Sequence, residues 1–427
     1  MQQRFSLGID LGTSNSAIAL SEVDNDQTNI IEITQVLGPN QIGEKTTLPS
    51  ALYIPHPDEF PEGAFPLPWP NDPRSIIGLF ARDHGALVPD RLVTSAKSWL
   101  SNPHIDPRQR SLPWKSEISE EKLSAFDCSR SYLDHMRESF LFAVRNQGKD
   151  FDLADGQVVL TIPASFDDIA RNLTAEAAEA AGLGKVVLLE EPLAAFYAWT
   201  AQAGKDWRAH VRPGDIVLVC DVGGGTADFS LIAISEKDGA LDLNRISVGE
   251  HILLGGDNMD LTLAYQVAQA LGKNGTKLDA GQMVQLTYAC RNAKEQLFAN
   301  PKLAKAPVTV LGKGRSLVGG TIKHDLPRAD AEAVLIDGFF PECPRDAEPA
   351  RARAAGLQEL GLPYVSDPGI TRHLAQFLAR QAESLAGRET AKKGAKKGGA
   401  VLPSAVLFNG GVFRADAMRS RLLGVLG

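Results

Sequence analysis

The stretch VLVCDVGGGTADFSLI, residues 217–232, sets two aspartates, Asp221 and Asp228, around Gly223, Gly224, Gly225 and Thr226. Apolar runs on either side predict two strands joined by a turn with a bare backbone. Glycine accepts φ > 0 and lets a ligand approach the main chain. Consecutive exposed N–H groups in such a turn make a concavity that suits an anion. With an aspartate on each flank, the turn can meet both a phosphate and its metal. A plain glycine-rich hairpin would explain one such turn. A second copy at residues 5–20, FSLGIDLGTSNSAIAL, repeats the order strand, aspartate, Gly-Thr turn, strand. Asp10 stands where Asp221 does, and Gly12, Thr13, Ser14 and Asn15 form the turn. Two phosphate turns of matched pattern suit a duplicated α/β architecture, with the turns facing each other across a cleft.

Other residues join this chemistry. Glu191 follows the strand Val186–Leu189 and opens a helix with Pro192 in its first turn. The carboxyl ends of strands are where open α/β sheets place ligand chemistry; a glutamate serving the helix dipole is the competing explanation. In LGGDNMD, Gly255 and Gly256 lead Asp257 into a helix through Gln269. Such a helix start can take a phosphate, and a plain N-cap accounts for Asp257 equally well. Lys294 lies on a long helix over Asp279–Ala299, where a solvated surface lysine is the ordinary expectation. Asn409, Gly410 and Gly411 form a third strand–Gly-Gly–helix junction, with Arg414 at the start of a final helix over Phe413–Leu423.

The elements that must hold these residues follow from periodicity and punctuation. Ile118–Gln147 is apolar at helical spacing through Leu123, Phe126, Leu133, Met136, Phe140 and Val144. Val158–Ile162 predicts a strand, Asp167–Ala181 an alanine-rich helix closed by Gly182, and Val186–Leu189 the next strand. That order implies parallel strands with a helical crossover. Val308–Val310 and Ser316–Ile322 suggest a strand pair, Leu326–Phe340 a helix and Ile370–Leu385 another. Glu389–Ala400 is a basic low-complexity segment with no interleaved aromatics, which reads as a loop rather than a nucleic-acid patch.

At 427 residues the chain exceeds one compact core, so two domains are expected. A net charge of −8 offers no broad attraction to nucleic acid or to an anionic membrane. No apolar run reaches spanning length, and MQQRF leads straight into a strand rather than a leader. The four cysteines are far apart without CxxC spacing, which points to thiols in a reduced cytoplasm.

Taken together, these pieces resemble the actin-like ATPase superfamily, and more closely the ATPase domain of the DnaK-type heat-shock 70 kDa chaperones. IDLGTSNS and DVGGGTADFS are similar to the family's two phosphate loops. VVLTIPASFDDIARNLTAEAAEAAGL followed by EEPLAAFYA is similar to its first connecting segment. LGGDNMD, CRNAKEQL and FNGGVFRADAM look like the Gly-Gly-acid helix opening, the adenosine-side helix and the adenosine loop. The resemblance implies an actin-like fold of two lobes, 1–210 and 211–427, around a cleft that takes ATP or ADP with Mg²⁺. Asp10 and Asp221 would position the metal through its waters, and Gly12–Asn15 and Gly223–Thr226 would cradle the phosphates. Glu191 and Asp228, with Thr226, would serve hydrolysis. Gly255, Gly256, Asp257, Lys294, Gly410, Gly411 and Arg414 would hold the nucleotide.

Departures are equally specific. The family's essential lysine falls nearest Arg82 in IGLFARD, with Lys97 in SAKSWL as a second choice. Arg291 and Glu295 invert an acidic and a basic position of the adenosine helix. About 341–400 carries more sequence than the family needs, and Gly427 precedes the family's linker and peptide-binding region. The expected function is the nucleotide-binding domain of a heat-shock 70 kDa-like chaperone, a weak and slow ATPase, with clients and co-chaperones engaged through regions not in this chain. The alternatives are a non-hydrolysing nucleotide-dependent scaffold and a small-molecule kinase of the same fold.

Overall fold

The strand Phe5–Asp10 and the strand Asn15–Glu22 form an antiparallel hairpin, with Phe5 opposite Glu22 and Asp10 opposite Ala17. The computed structural model describes residues 4–23, 27–72, 74–102, 104–114, 116–118, 121–149, 151–237, 240–312, 320–350, 365–385 and 402–427. Among them this hairpin belongs to a unit that runs to Glu191, and a second unit begins at Pro192.

In the first unit the sheet order is Val187–Glu190, Gly156–Ile162, Phe5–Asp10, Asn15–Glu22, Thr28–Ile31, and Leu48–Pro49 also pairs with Asn15–Glu22. The first three strands are mutually parallel. The helix Asp168–Ala180 makes the crossover between Gly156–Ile162 and Val187–Glu190, and Asp167 caps it by accepting from the Ala170 amide at 2.8 Å. Phe5, Leu7, Ile9, Leu160 and Ile162 are buried within this layer.

The second unit repeats the plan. Its sheet order is Ala240–Val248, Ala227–Lys237, Ile216–Val222, Ala405–Asn409. Again a strand with an aspartate near its end, Asp221, has a hairpin partner on one side and a parallel strand on the other. Residues 216–220 are a continuous apolar run, and both of its faces are covered. Leu218 and Cys220 pack with Met259, Leu263, Leu286 and Ala293 of the helices Gly256–Lys273 and Ala280–Ala299. Val217 and Val219 pack with Phe196, Ile232 and Ile234 on the other face. Lys305–Leu311 pairs with Thr321–Pro327; the first strand of the expected pair lies within Lys305–Leu311, whereas residues 316–319 of the expected second strand lie outside the described residues.

Several boundaries differ from the sequence reading, each for a local reason. The helix expected from Ile118 starts at Ala125. Ser124 accepts from the Asp127 amide in a capping box, and Leu123 is drawn into a backbone bridge with Leu112. The expected helix Leu326–Phe340 is a strand to Pro327 and then a helix, α-helical over Arg328–Glu332 and π-helical over Ala333–Gly338. The final helix covers Asp416–Leu426, and Arg414 lies in a 3₁₀ turn, Gly411–Arg414, before it. Of the expected insertion at about 341–400, residues 351–364 and 386–400 lie outside the described residues, the basic run 389–400 among them. The helix Ile370–Leu385 within it forms as expected. No helix among the described residues is long and apolar enough to cross a membrane.

Candidate functional site

In the first unit, Asp10 ends its strand and accepts from the Thr161 hydroxyl at 2.7 Å. Thr161 comes from the adjacent parallel strand. The turn after Asp10 is held from behind by Ser50, whose hydroxyl donates to the Gly12 carbonyl at 2.7 Å and whose amide donates to the Ser14 carbonyl at 3.0 Å. A Cβ on Gly12 would stand 2.0 Å from the Asn15 carbonyl oxygen, so only glycine closes this turn.

Glu191 leaves the edge strand of the same sheet and meets Lys97, whose Nζ donates to Oε1 at 2.5 Å. The two side chains are 7% and 18% exposed, so the ion pair is largely withdrawn from water. Lys97 sits on the short buried helix Ala96–Leu100, and its ammonium lies 5.9 Å from the centre of the Phe166 ring. Arg171 braces that wall by donating to the Phe166 carbonyl and to Glu190. The two cations named from sequence sit in different surroundings. Arg82, the first choice from sequence, lies on the helix Leu79–Gly85 and pairs with its neighbour Asp83 at 2.8 Å. Lys97, the second choice, is the cation beside Glu191.

In the second unit Asp221 accepts from the Asn409 amide nitrogen at 2.8 Å. Asn409 is the register partner of Asp221 on the adjacent parallel strand. Each unit therefore has, at or next to the end of its first strand, an aspartate held by a donor from the parallel neighbour. The glycine turn closes through the Gly223 amide to the Thr226 carbonyl at 2.9 Å. Behind it, the helix Gly256–Lys273 donates its first amides to the turn: Gly256 to the Gly223 carbonyl at 3.0 Å and Asp257 to the Gly224 carbonyl at 2.7 Å. A Cβ on Gly255 would lie 2.5 Å from the Gly224 oxygen. Gly410, at φ 86°, would bring a Cβ to 2.2 Å from the Val222 oxygen. Gly255, Gly256 and Gly410 thus back the turn closely. Asp257 is not an N-cap, since the helix starts one residue earlier, at Gly256, with Asn258 accepting from the Gly255 amide. Asp228, 9% exposed, has His251 Nδ1 at 3.0 Å from Oδ1.

Beside this turn is a buried charge network. Asp260 meets Arg291 Nε at 3.0 Å and Lys294 Nζ at 2.6 Å, and Arg291 also pairs with Asp257. Lys294 reaches the Gly256 carbonyl at 3.3 Å. Burial pushes the Asp260 carboxyl up to about 6, outweighing the two cations. For Arg291 burial works the other way, yet Asp257 and Asp260 hold the guanidinium above its ordinary value. Arg291 is therefore committed to acids. Glu295 and Arg414 are both exposed. Thr161, Ser50 and His251 were not singled out from sequence, and Asn409 was read only as part of a turn; Thr161 and Asn409 act through strand pairing, which no local spacing reveals.

Comparison with known proteins follows the same stretches. The sequence model described as Hsp70 protein matches residues 6–334. The chain is 30% identical over 366 residues to the chaperone protein HscA of Pectobacterium atrosepticum, covering 84% of this chain and 51% of that one. It is 30% identical over 307 residues to the HscA homologue of Actinobacillus pleuropneumoniae serotype 5b, covering 69% and 40%. It is 29% identical over 276 residues to HscA of Photorhabdus laumondii, covering 64% and 39%. The matched parts make up about half or less of those relatives' length.

Proposed function

The chain belongs to the Hsp70 family and has the α/β fold of its actin-like ATPase domain, and from this we propose that it binds ATP with Mg²⁺ and hydrolyses it slowly. The observation that carries the reading is the repeat of one device in both units: a braced aspartate at or next to the end of a strand, followed by a glycine turn held in place from behind. Asp10 and Asp221 are hard oxygen donors suited to Mg²⁺, which keeps most of its water and is ordered through it. Gly12–Asn15 and Gly223–Thr226 offer backbone N–H groups and hydroxyls to phosphate oxygens. Bound Mg²⁺ would offset the charge of the phosphates. Glu191 and Asp228 would order the attacking water, with Thr226 beside them. Lys97 would supply the positive charge at the developing phosphoryl oxygens, the positioning and electrostatics that dominate phosphoryl transfer. Lys294 and Arg414 remain the cations for the nucleoside, with Gly411 at the adenosine loop.

The want of a lysine is the ground for a non-hydrolysing scaffold, and a buried Lys97–Glu191 pair favours hydrolysis instead. We further propose that the chain is the nucleotide-binding part of a cytoplasmic chaperone acting on client polypeptides with co-chaperones. The free, buried thiols of Cys128, Cys220 and Cys290 fit a reduced compartment. The deciding experiment is single-turnover hydrolysis of ATP by the purified chain with Mg²⁺ and no added acceptor. Release of phosphate supports the reading; ATP bound and left intact overturns it.

A further inference from the structure

Asp228 lies in the strand that leaves the glycine turn, and a break in register decides what faces it. Away from the turn, Ser230 pairs with Val248. At the turn, Ala227 pairs with Ile252. From Ser230 to Ala227 is three residues and from Val248 to Ile252 four, so the returning segment carries one residue more than the strand it faces. That extra residue is a β-bulge, and bulges beside functional sites re-aim side chains. An unbroken register would set Glu250, a second carboxylate, opposite Asp228. With the bulge the facing residue is His251, and Glu250 pairs with Arg380 instead. The Gly249 amide donates to the Phe229 carbonyl at 2.8 Å, and the Ala227 amide to the Ile252 carbonyl at 2.9 Å, so the pairing is pinned on both sides of Asp228. Directly opposed side chains share a face. The two are 17% and 11% exposed, with His251 Nδ1 at 3.0 Å from Asp228 Oδ1.

Resting on the reading of Asp228 given above, we propose that His251 is a positioning residue for ATP hydrolysis. Its Nδ1–H donates to Oδ1 and holds the Asp228 carboxylate in the orientation that orders the attacking water. A hydrogen bond to a charged group, aimed by fixed backbone, removes reorganisation at the moment of reaction.

Three substitutions test this, each read by ATP affinity, KM, single-turnover rate and melting temperature. Asparagine carries its amide nitrogen one bond beyond Cγ, as histidine carries Nδ1, whereas glutamine carries it one bond further out. His251→Leu and His251→Gln are expected to lower kcat about tenfold with KM within about twofold, and His251→Asn to recover most of the rate. A merely structural role would follow melting temperature and not the place of the nitrogen. Where His251→Leu fails to fold, the Asn and Gln variants decide. Equal rates for those two overturn the proposal, as does a loss of ATP affinity with kcat unchanged. Asp228→Asn run alongside separates the two levels. If it turns over at the wild-type rate, the reading of Asp228 has failed; if it is slow while every His251 variant is normal, only the role of His251 has.

Discussion

Lys97 and Glu191 are far apart in the chain, yet they form one of the most withdrawn ion pairs among the described residues. Arg82 differs in every respect that matters for chemistry: its guanidinium is spent on an adjacent, half-exposed Asp83. Such exposed pairs contribute at most about 1 kcal/mol. Replacing Lys97 with methionine keeps much of the volume and removes the charge. At saturating ATP, Lys97→Met should slow single-turnover hydrolysis by a factor of about 10²–10³, the usual loss for one well-aimed donor to developing charge. Arg82→Lys should stay within about twofold of wild type, as expected for a surface pair. If Arg82→Lys slows the reaction as much as Lys97→Met, the two cations have been assigned the wrong way round. Removing one partner of a buried pair also costs about 3–5 kcal/mol of stability, so both variants need their melting temperatures beside their rates.

At the scale of elements, what holds each turn is a neighbour distant in sequence. Gly255 leaves no room between the start of its helix and the Gly224 carbonyl, so Gly255→Val should weaken ATP binding by distorting the glycine turn even though no new side chain enters the phosphate space. A nucleotide titration showing unchanged affinity would contradict that. A second element, the start of the helix Ile370–Leu385, rests on Asp367. Burial works against its carboxylate, but Arg372 and the amides of Ala350 and Gly369 outweigh it and hold its pKa down at about 2. An acid held below its ordinary 3.8 stabilises the fold above that value, and the contribution fades as pH falls from about 4 to about 2. The fall corresponds to about 2.5 kcal/mol. Asp367→Asn should therefore lose about that much in urea unfolding at pH 7, with the gap closing toward pH 2; a gap that does not narrow would assign the loss to packing. These elements also show how far sequence reaches. Both Asp-turn hairpins were legible because strand, aspartate, turn and strand fall within sixteen residues. The choice between Arg82 and Lys97 was not, because each lies on a short helix whose placement depends on tertiary packing. The start of the helix at Ala125 was hidden because Leu123 keeps helical spacing while its backbone pairs with Leu112. His251 was hidden by a single extra residue that changes register without changing composition.

At the scale of the molecule, the proposed reading draws one aspartate and one glycine turn from each unit, so nucleotide should bind weakly or not at all when either is spoiled. At free Mg-ATP about 100 times the dissociation constant, binding adds about 2.7 kcal/mol to the stability of what unfolds with the site. Wild type should melt several degrees higher in Mg-ATP than in EDTA. Gly12→Val and Gly224→Val should each erase that shift, the first by colliding with the turn's own Asn15 carbonyl and the second by filling the space that the proposal gives to phosphate. A full shift in either variant would leave that turn without a part in binding. The backing of the second turn carries one more consequence. Because the Gly256 and Asp257 amides are bonded to the carbonyls of Gly223 and Gly224, neither proton can trade with solvent deuterium until the turn has let go of the helix. Two hydrogens thus keep time for the glycine turn, and their exchange with and without nucleotide would count its openings directly.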